Sequence, residues 1–125
     1  VRGRTALPFL HHVQTNNAEA LDGKPIGAQY TVIPNETGGA VDDAYLCRFD
    51  EEEYLLVVNA SNRRKDWDHL QSRVGEFGEV ELSDRTEEMV MLALQGPMSQ
   101  GLLDQLVESG RLPETEPNDG ALLGL

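Results

Sequence analysis

Residues 26–58 read IGAQYTVIPNETGGAVDDAYLCRFDEEEYLLVV, and this stretch decides the fold. Ile26 to Ile33 reads as a strand. Pro34-Asn35-Glu36-Thr37-Gly38-Gly39 reads as a hairpin connection, because glycines take positive φ without steric cost. Ala40 to Phe49 is the returning strand, and Asp50 to Glu53 turns the chain again. Tyr54-Leu55-Leu56-Val57-Val58 is apolar at every position, which predicts a central strand covered on both faces.

Outward from the hairpins, helical spacing takes over. Thr5 is placed to cap a first helix, whose Ala6, Phe9, Leu10 and Val13 fall at i, i+3, i+4 and i+7. Thr15 to Lys24 is polar and turn-rich, hence a loop. Asn59 or Ser61 is the expected cap of a second helix with Trp67, Leu70 and Val74 on its buried stripe and Gly75 at its end. Val80 to Leu82 and Met89 to Leu94 read as further strands. Gly96-Pro97 opens a third helix with Leu102, Leu103, Leu106 and Val107 on one face and Gly110 as its stop. Arg111 to Gly120 is loop-like, and Ala121 to Leu125 resembles the start of another strand. Adjacent strands joined by short turns, with helices packed on them, give an α+β class. The expected architecture is a ferredoxin-like sandwich with a mainly antiparallel sheet.

The chain has 125 residues, enough for one domain with a modest core. Its net charge of −12 sets it against nucleic acid and anionic membranes as partners. No apolar run approaches the ~20 residues that span a bilayer. A single cysteine, Cys47, excludes an internal disulfide and suits a cytoplasmic location. As a chemical group it reads as a small core residue rather than a nucleophile. Asp50-Glu51-Glu52-Glu53 reads as a solvated turn.

The second strand carries the chemistry. Alternate strand residues share a face, so Val41, Asp43, Tyr45, Cys47 and Phe49 point one way. Asp42, Ala44, Leu46 and Arg48 point the other way, so the two aspartates cannot form an acid–base dyad. Asp43 thus sits in a largely apolar row, where a carboxylate needs hydrogen bonds or a ligand. Two readings stand open: a carboxylate capping backbone amides near the turn, or one held against a cationic or proton-donating ligand. For Asp42 the simpler reading is a hydrogen bond or ion pair at the strand start.

Tyr30-Thr31-Val32-Ile33-Pro34-Asn35-Glu36-Thr37-Gly38-Gly39-Ala40-Val41-Asp42-Asp43 resembles the signature of the glycine cleavage T-protein (aminomethyltransferase) family. Leu55-Leu56-Val57-Val58-Asn59-Ala60 with Lys65-Asp66 downstream resembles that family's next block. Ala93-Leu94-Gln95-Gly96-Pro97 resembles a third, in the same order. Cys47 departs from the pattern, since some relatives have tyrosine there.

The resemblance implies a tetrahydrofolate-dependent aminomethyltransferase. Such an enzyme takes a one-carbon unit from an aminomethyl-lipoyl (H-type) carrier protein, passes it to tetrahydrofolate and releases ammonia, with no metal. It implies Asp43 as the catalytic residue beside the attacking folate nitrogen, and Tyr30, Asp43, Val57 and Asn59 as the folate-binding set. Members of the family are longer and contain further domains, so residues 1–125 are expected to form a single, partial folate-binding domain. Alone, the chain is expected to be inactive or to bind folate weakly. The alternatives are a folate-dependent demethylase, a dimethylglycine/sarcosine-type folate domain, or a non-catalytic folate-binding assembly factor.

Overall fold

The computed structural model describes residues 1–24, 26–108, 110–115, 120, 121 and 123. Three strands, β1 (Gly27–Pro34), β2 (Ala40–Asp50) and β3 (Glu53–Val58), form an antiparallel meander in the order β1-β2-β3. Helix α1 (Ala6–Val13) precedes the sheet, α2 (Arg63–Val74) follows it, and α3 (Ser99–Asp104) comes last. The α+β class with an antiparallel sheet is therefore what the chain adopts. Among the described residues, no helix is long and apolar enough to cross a membrane.

The β1–β2 turn is built by Asn35 and two glycines. The Asn35 side-chain oxygen accepts hydrogen bonds from the amides of Thr37 (3.0 Å) and Gly39 (2.8 Å). Gly38 takes φ +83°, a conformation that L side chains avoid. A Cβ on Gly39 would come within 3.0 Å of the Asn35 amide nitrogen, so the second glycine leaves room for that side chain.

The sheet has one covered face. Register pairs Ala44 with Val58 and Leu46 with Leu56, and these side chains point toward α1 and α2. Ala6, Phe9, Leu10 and Val13 of α1 fill the core, as their spacing predicts, together with Ala18, Leu21, Leu46, Tyr54 and Leu70. Phe77 closes it edge-on against Phe9, with ring centroids 5.5 Å apart. Arg48 is also buried here, donating to the Lys24 carbonyl (3.0 Å) and to Asp22 (3.1 Å). Thr5 stands at the start of α1 but donates to the Phe77 carbonyl instead of capping the helix.

Several elements differ from expectation. β3 lies at the sheet edge, not at its centre, and four of its apolar side chains are only half-buried. An apolar run marks coverage on both faces only where a strand has neighbours on both sides, and here only the first residues of the chain meet that edge among the described residues, Val1 at Tyr54 and Arg2 at Glu53. The strand expected at Val80–Leu82 reduces to one bridge from Arg2 to Glu81. Met89 to Leu94 is no strand; Val90, Met91 and Leu92 are exposed, and no partner edge reaches them among the described residues. Helix α3 is short: Leu102 within it is exposed, and Leu106 (exposed) and Val107 (buried) lie beyond its end. The strand expected at Ala121–Leu125 falls partly outside the described residues; Ala121 and Leu123 carry no regular structure.

Candidate active site

The uncovered face of the sheet gathers the residues that the sequence singled out. Register pairs Tyr30 with Tyr45, Val32 with Asp43, and Tyr45 with Val57. Directly paired residues share a face, so Tyr30, Asp43, Tyr45 and Val57 all lie on it. Asn59 follows β3 by one residue, opposite Asp43 if the register is continued. All four expected folate-binding positions are thus brought together at one end of the sheet.

Asp43 is held on both oxygens. The Tyr30 hydroxyl donates to Oδ2. The Asn59 side-chain amide donates to Oδ1 at 2.7 Å, and also reaches the Asp43 carbonyl at 3.3 Å. The hydrogen bond to Asp43 holds the Tyr30 phenol above its ordinary pKa, as expected for a donor to an anion. Among the described residues no backbone amide of the turn donates to the Asp43 carboxylate. Its partners are side chains, and Tyr30 remains 59% exposed, so the carboxylate borders open space.

Tyr30 is positioned from behind. The segment after α1 runs along β1: the Thr15 amide donates to the Val32 carbonyl (2.9 Å), and the Asn16 side chain donates to the Tyr30 carbonyl (3.0 Å). On β2, pairing shifts between Ile33 and Pro34, leaving Val41 as an extra residue next to the aspartates. The Lys65 ammonium on α2 takes the Val41 carbonyl. Arg73 on the same helix holds Glu36 of the hairpin at 2.7 Å.

Comparison with known proteins shows the family. The family model for the GCVT N-terminal domain matches residues 1–116. The chain belongs to that family. The aminomethyltransferase of Thermus thermophilus is 53% identical over 108 residues, covering 86% of this chain and 30% of the relative. That of Prosthecochloris aestuarii is 42% identical over 118 residues, covering 94% of this chain and 32% of the relative. That of Deinococcus deserti is 44% identical over 108 residues, covering 86% and 29%. This GCVT chain therefore spans about a third of the length of the curated relatives it matches.

Within the GCVT domain, the first aspartate of the pair, Asp42, is the more surprising. Asp42 turns to the covered face, where it meets Asp66 of α2, a residue with no exposed surface. The Asn59 amide spans both aspartates, donating to Asp42 Oδ1 at 3.1 Å as well as to Asp43. Burial raises the Asp42 pKa, but hydrogen bonds from Asp66, Asn59, the Asp43 backbone and Asn62 outweigh it and bring the group to about 2. Asp66 moves oppositely: burial first, then its hydrogen bond with Asp42 and the charge of Asp42, lift it to about 6.

Two expectations change here. Asn59 does not cap the second helix; Asn62 stands at that position, and the Asn59 side chain is committed to the aspartates. Asp66 occupies a buried position on α2 beside the expected Leu70, while Trp67 and Val74 are half-buried. Cys47 is half-buried on the uncovered face, and burial pushes its thiol up, away from a reactive thiolate.

Proposed function

We propose that this chain supplies the catalytic aspartate and part of the folate site of a tetrahydrofolate-dependent aminomethyltransferase of the glycine cleavage system. The substrates would be an aminomethyl group on a lipoyl carrier protein and tetrahydrofolate, and the products a one-carbon folate, ammonia and the carrier's freed lipoyl thiol. The observation that carries this reading is the Asp43 carboxylate on the uncovered face, fixed by Tyr30 on one oxygen and Asn59 on the other.

The residues fit a reduced folate. In such a transfer the aminomethyl carbon would exchange its bonds to the lipoyl sulfur and the amino nitrogen for bonds to two folate nitrogens; each folate nitrogen would give up a proton, one ending on the freed thiol and one on the ammonia, and positive charge would develop at the carbon on the way. A fixed carboxylate can orient the amine, accept one such proton and offset the positive charge. Asp43 does this from a strand, and its two donors set its direction before substrate arrives. Val57 supplies apolar wall beside it, and the Asn59 side chain supplies polar contact. In this reading residues 1–125 are one part of a longer enzyme, a soluble cytoplasmic one, and relatives of greater length complete the cavity.

The test is an ammonia-release assay on a chain of the relatives' full length that carries these residues. Aminomethylated carrier and tetrahydrofolate should give ammonia, and omitting tetrahydrofolate should slow release sharply. Equal release with and without tetrahydrofolate would overturn the reading.

A further inference from the structure

Asp66 is the least expected side chain in the molecule. It has no exposed surface, and both of its carboxylate oxygens lack an N–H donor among the described residues. Asp42 Oδ2 is buried in the same condition. The residues just before them already touch, Lys65 donating to the Val41 carbonyl, and each carboxyl shifts the other's titration, Asp42 downward and Asp66 upward. Two ionised carboxylates cannot hydrogen-bond to each other, and burying them together unpaired is costly. One proton between them supplies the missing donor and removes one charge.

The pair also leads somewhere. Asp42 Oδ1 accepts from the Asn59 amide, and the same nitrogen donates to Asp43 Oδ1. A fixed Asp42 therefore fixes Asn59, and Asn59 fixes Asp43. The charged groups facing Asp66 are Asp42 and Asp43 on β2 and Lys65 on its own helix. Lys65 favours the ionised form, but its ammonium is engaged by the Val41 carbonyl.

We propose that Asp66 is a positioning residue: as a neutral acid it donates a hydrogen bond to Asp42, and through Asp42 and Asn59 it aims the Asp43 carboxylate. The effect on turnover rests on the proposed role of Asp43; the proton-sharing pair does not. A carboxyl whose folded-state value lies above the ordinary 3.8, at about 6, stabilises the fold fully below about pH 4. That contribution is lost as pH rises through about 6. Asp42, whose value is depressed to about 2, acts in the opposite sense, and its contribution is lost only as pH falls through that value.

The experiment compares wild type with Asp66→Asn and Asp66→Leu in a chain of the relatives' full length. The first readout is the thermal unfolding midpoint from about pH 4 to about pH 7, which spans the ordinary and the folded-state values of Asp66. Wild type should lose stability across that window. Asp66→Asn, which keeps a donor and cannot ionise, should flatten the loss. An Asp66→Asn profile parallel to wild type would overturn the shared proton. The second readout is turnover at about pH 5, below the Asp66 value of about 6, where the proton is largely in place. Asp66→Leu should lower kcat about tenfold with KM for tetrahydrofolate little changed, and Asp66→Asn should restore it. Should Asp66→Leu fail to fold, a wild-type kcat in Asp66→Asn supports the proposal, and a fall of the kind expected for Asp66→Leu overturns it. A chain without turnover in wild type would count against the proposed reaction, while the unfolding profiles would still decide the pair.

Discussion

Asp42 and Asp43 are neighbours on β2, and the pleat sends them to opposite faces of one sheet. On the covered face Asp42 meets a buried carboxyl and an apolar core. On the uncovered face Asp43 meets the hydroxyl of an exposed tyrosine. The same side chain is thus a structural strut in one direction and, in the proposed reading, the reactive group in the other. What separates them is the company each face keeps, and one amide, that of Asn59, is shared between them.

That contrast can be broken from either side. The largest expected effect lies in the covered face. Phe9→Ala removes a fully buried ring from the centre of the core, and should cost about 3–5 kcal/mol of unfolding free energy by denaturant titration. A loss near that of an exposed site would mean that α1 does not seal the sheet. Next comes the shared amide. Asn59→Ala should leave the fold intact, as judged by circular dichroism, yet lower kcat by roughly ten- to a hundredfold, because it frees a carboxylate from its donor. The smallest is Tyr30→Phe, which removes one of the two donors to Asp43 while keeping the ring. Kinetic assay of that variant should show roughly a three- to tenfold loss in kcat/KM. A greater loss for Tyr30→Phe than for Asn59→Ala would reverse the order of importance of the two contacts.

Much of this was legible in the residues. The Asn35–Gly39 stretch needs glycine where φ is positive and where a side chain packs on backbone, and both needs are met. Alternation along β2 placed Asp42 and Asp43 on opposite faces correctly, because a period of two survives whatever the sheet packs against. The α1 stripe was equally plain, since four apolar residues at helical spacing have no other common face. Other features carry weaker local signals. Nothing in Tyr54–Val58 says which strand will lie beside it, so its apolar run reads as a central strand although β3 lies at the edge. Met89–Leu94 has strand composition but meets no partner edge among the described residues. The extra residue at Val41 depends on pairing between two strands. Asp66 lies in the first turn of a helix, where an acidic residue ordinarily means a favourable interaction with the helix dipole in water. Its burial against Asp42 is a tertiary fact that composition does not reveal.

The most direct measurement is a side-by-side assay of Asp43→Asn and Asp42→Asn in a chain of the relatives' full length, reading kcat for tetrahydrofolate-dependent ammonia release and the unfolding midpoint of each. Asp43→Asn is expected to lower kcat by about a hundred- to ten-thousandfold with little change in unfolding midpoint. Asp42→Asn is expected to shift the midpoint and to reduce kcat far less. An Asp43→Asn enzyme that turns over as wild type does, or an Asp42→Asn enzyme that is the more impaired of the two in kcat, would contradict the assignment of the reactive carboxylate to the uncovered face.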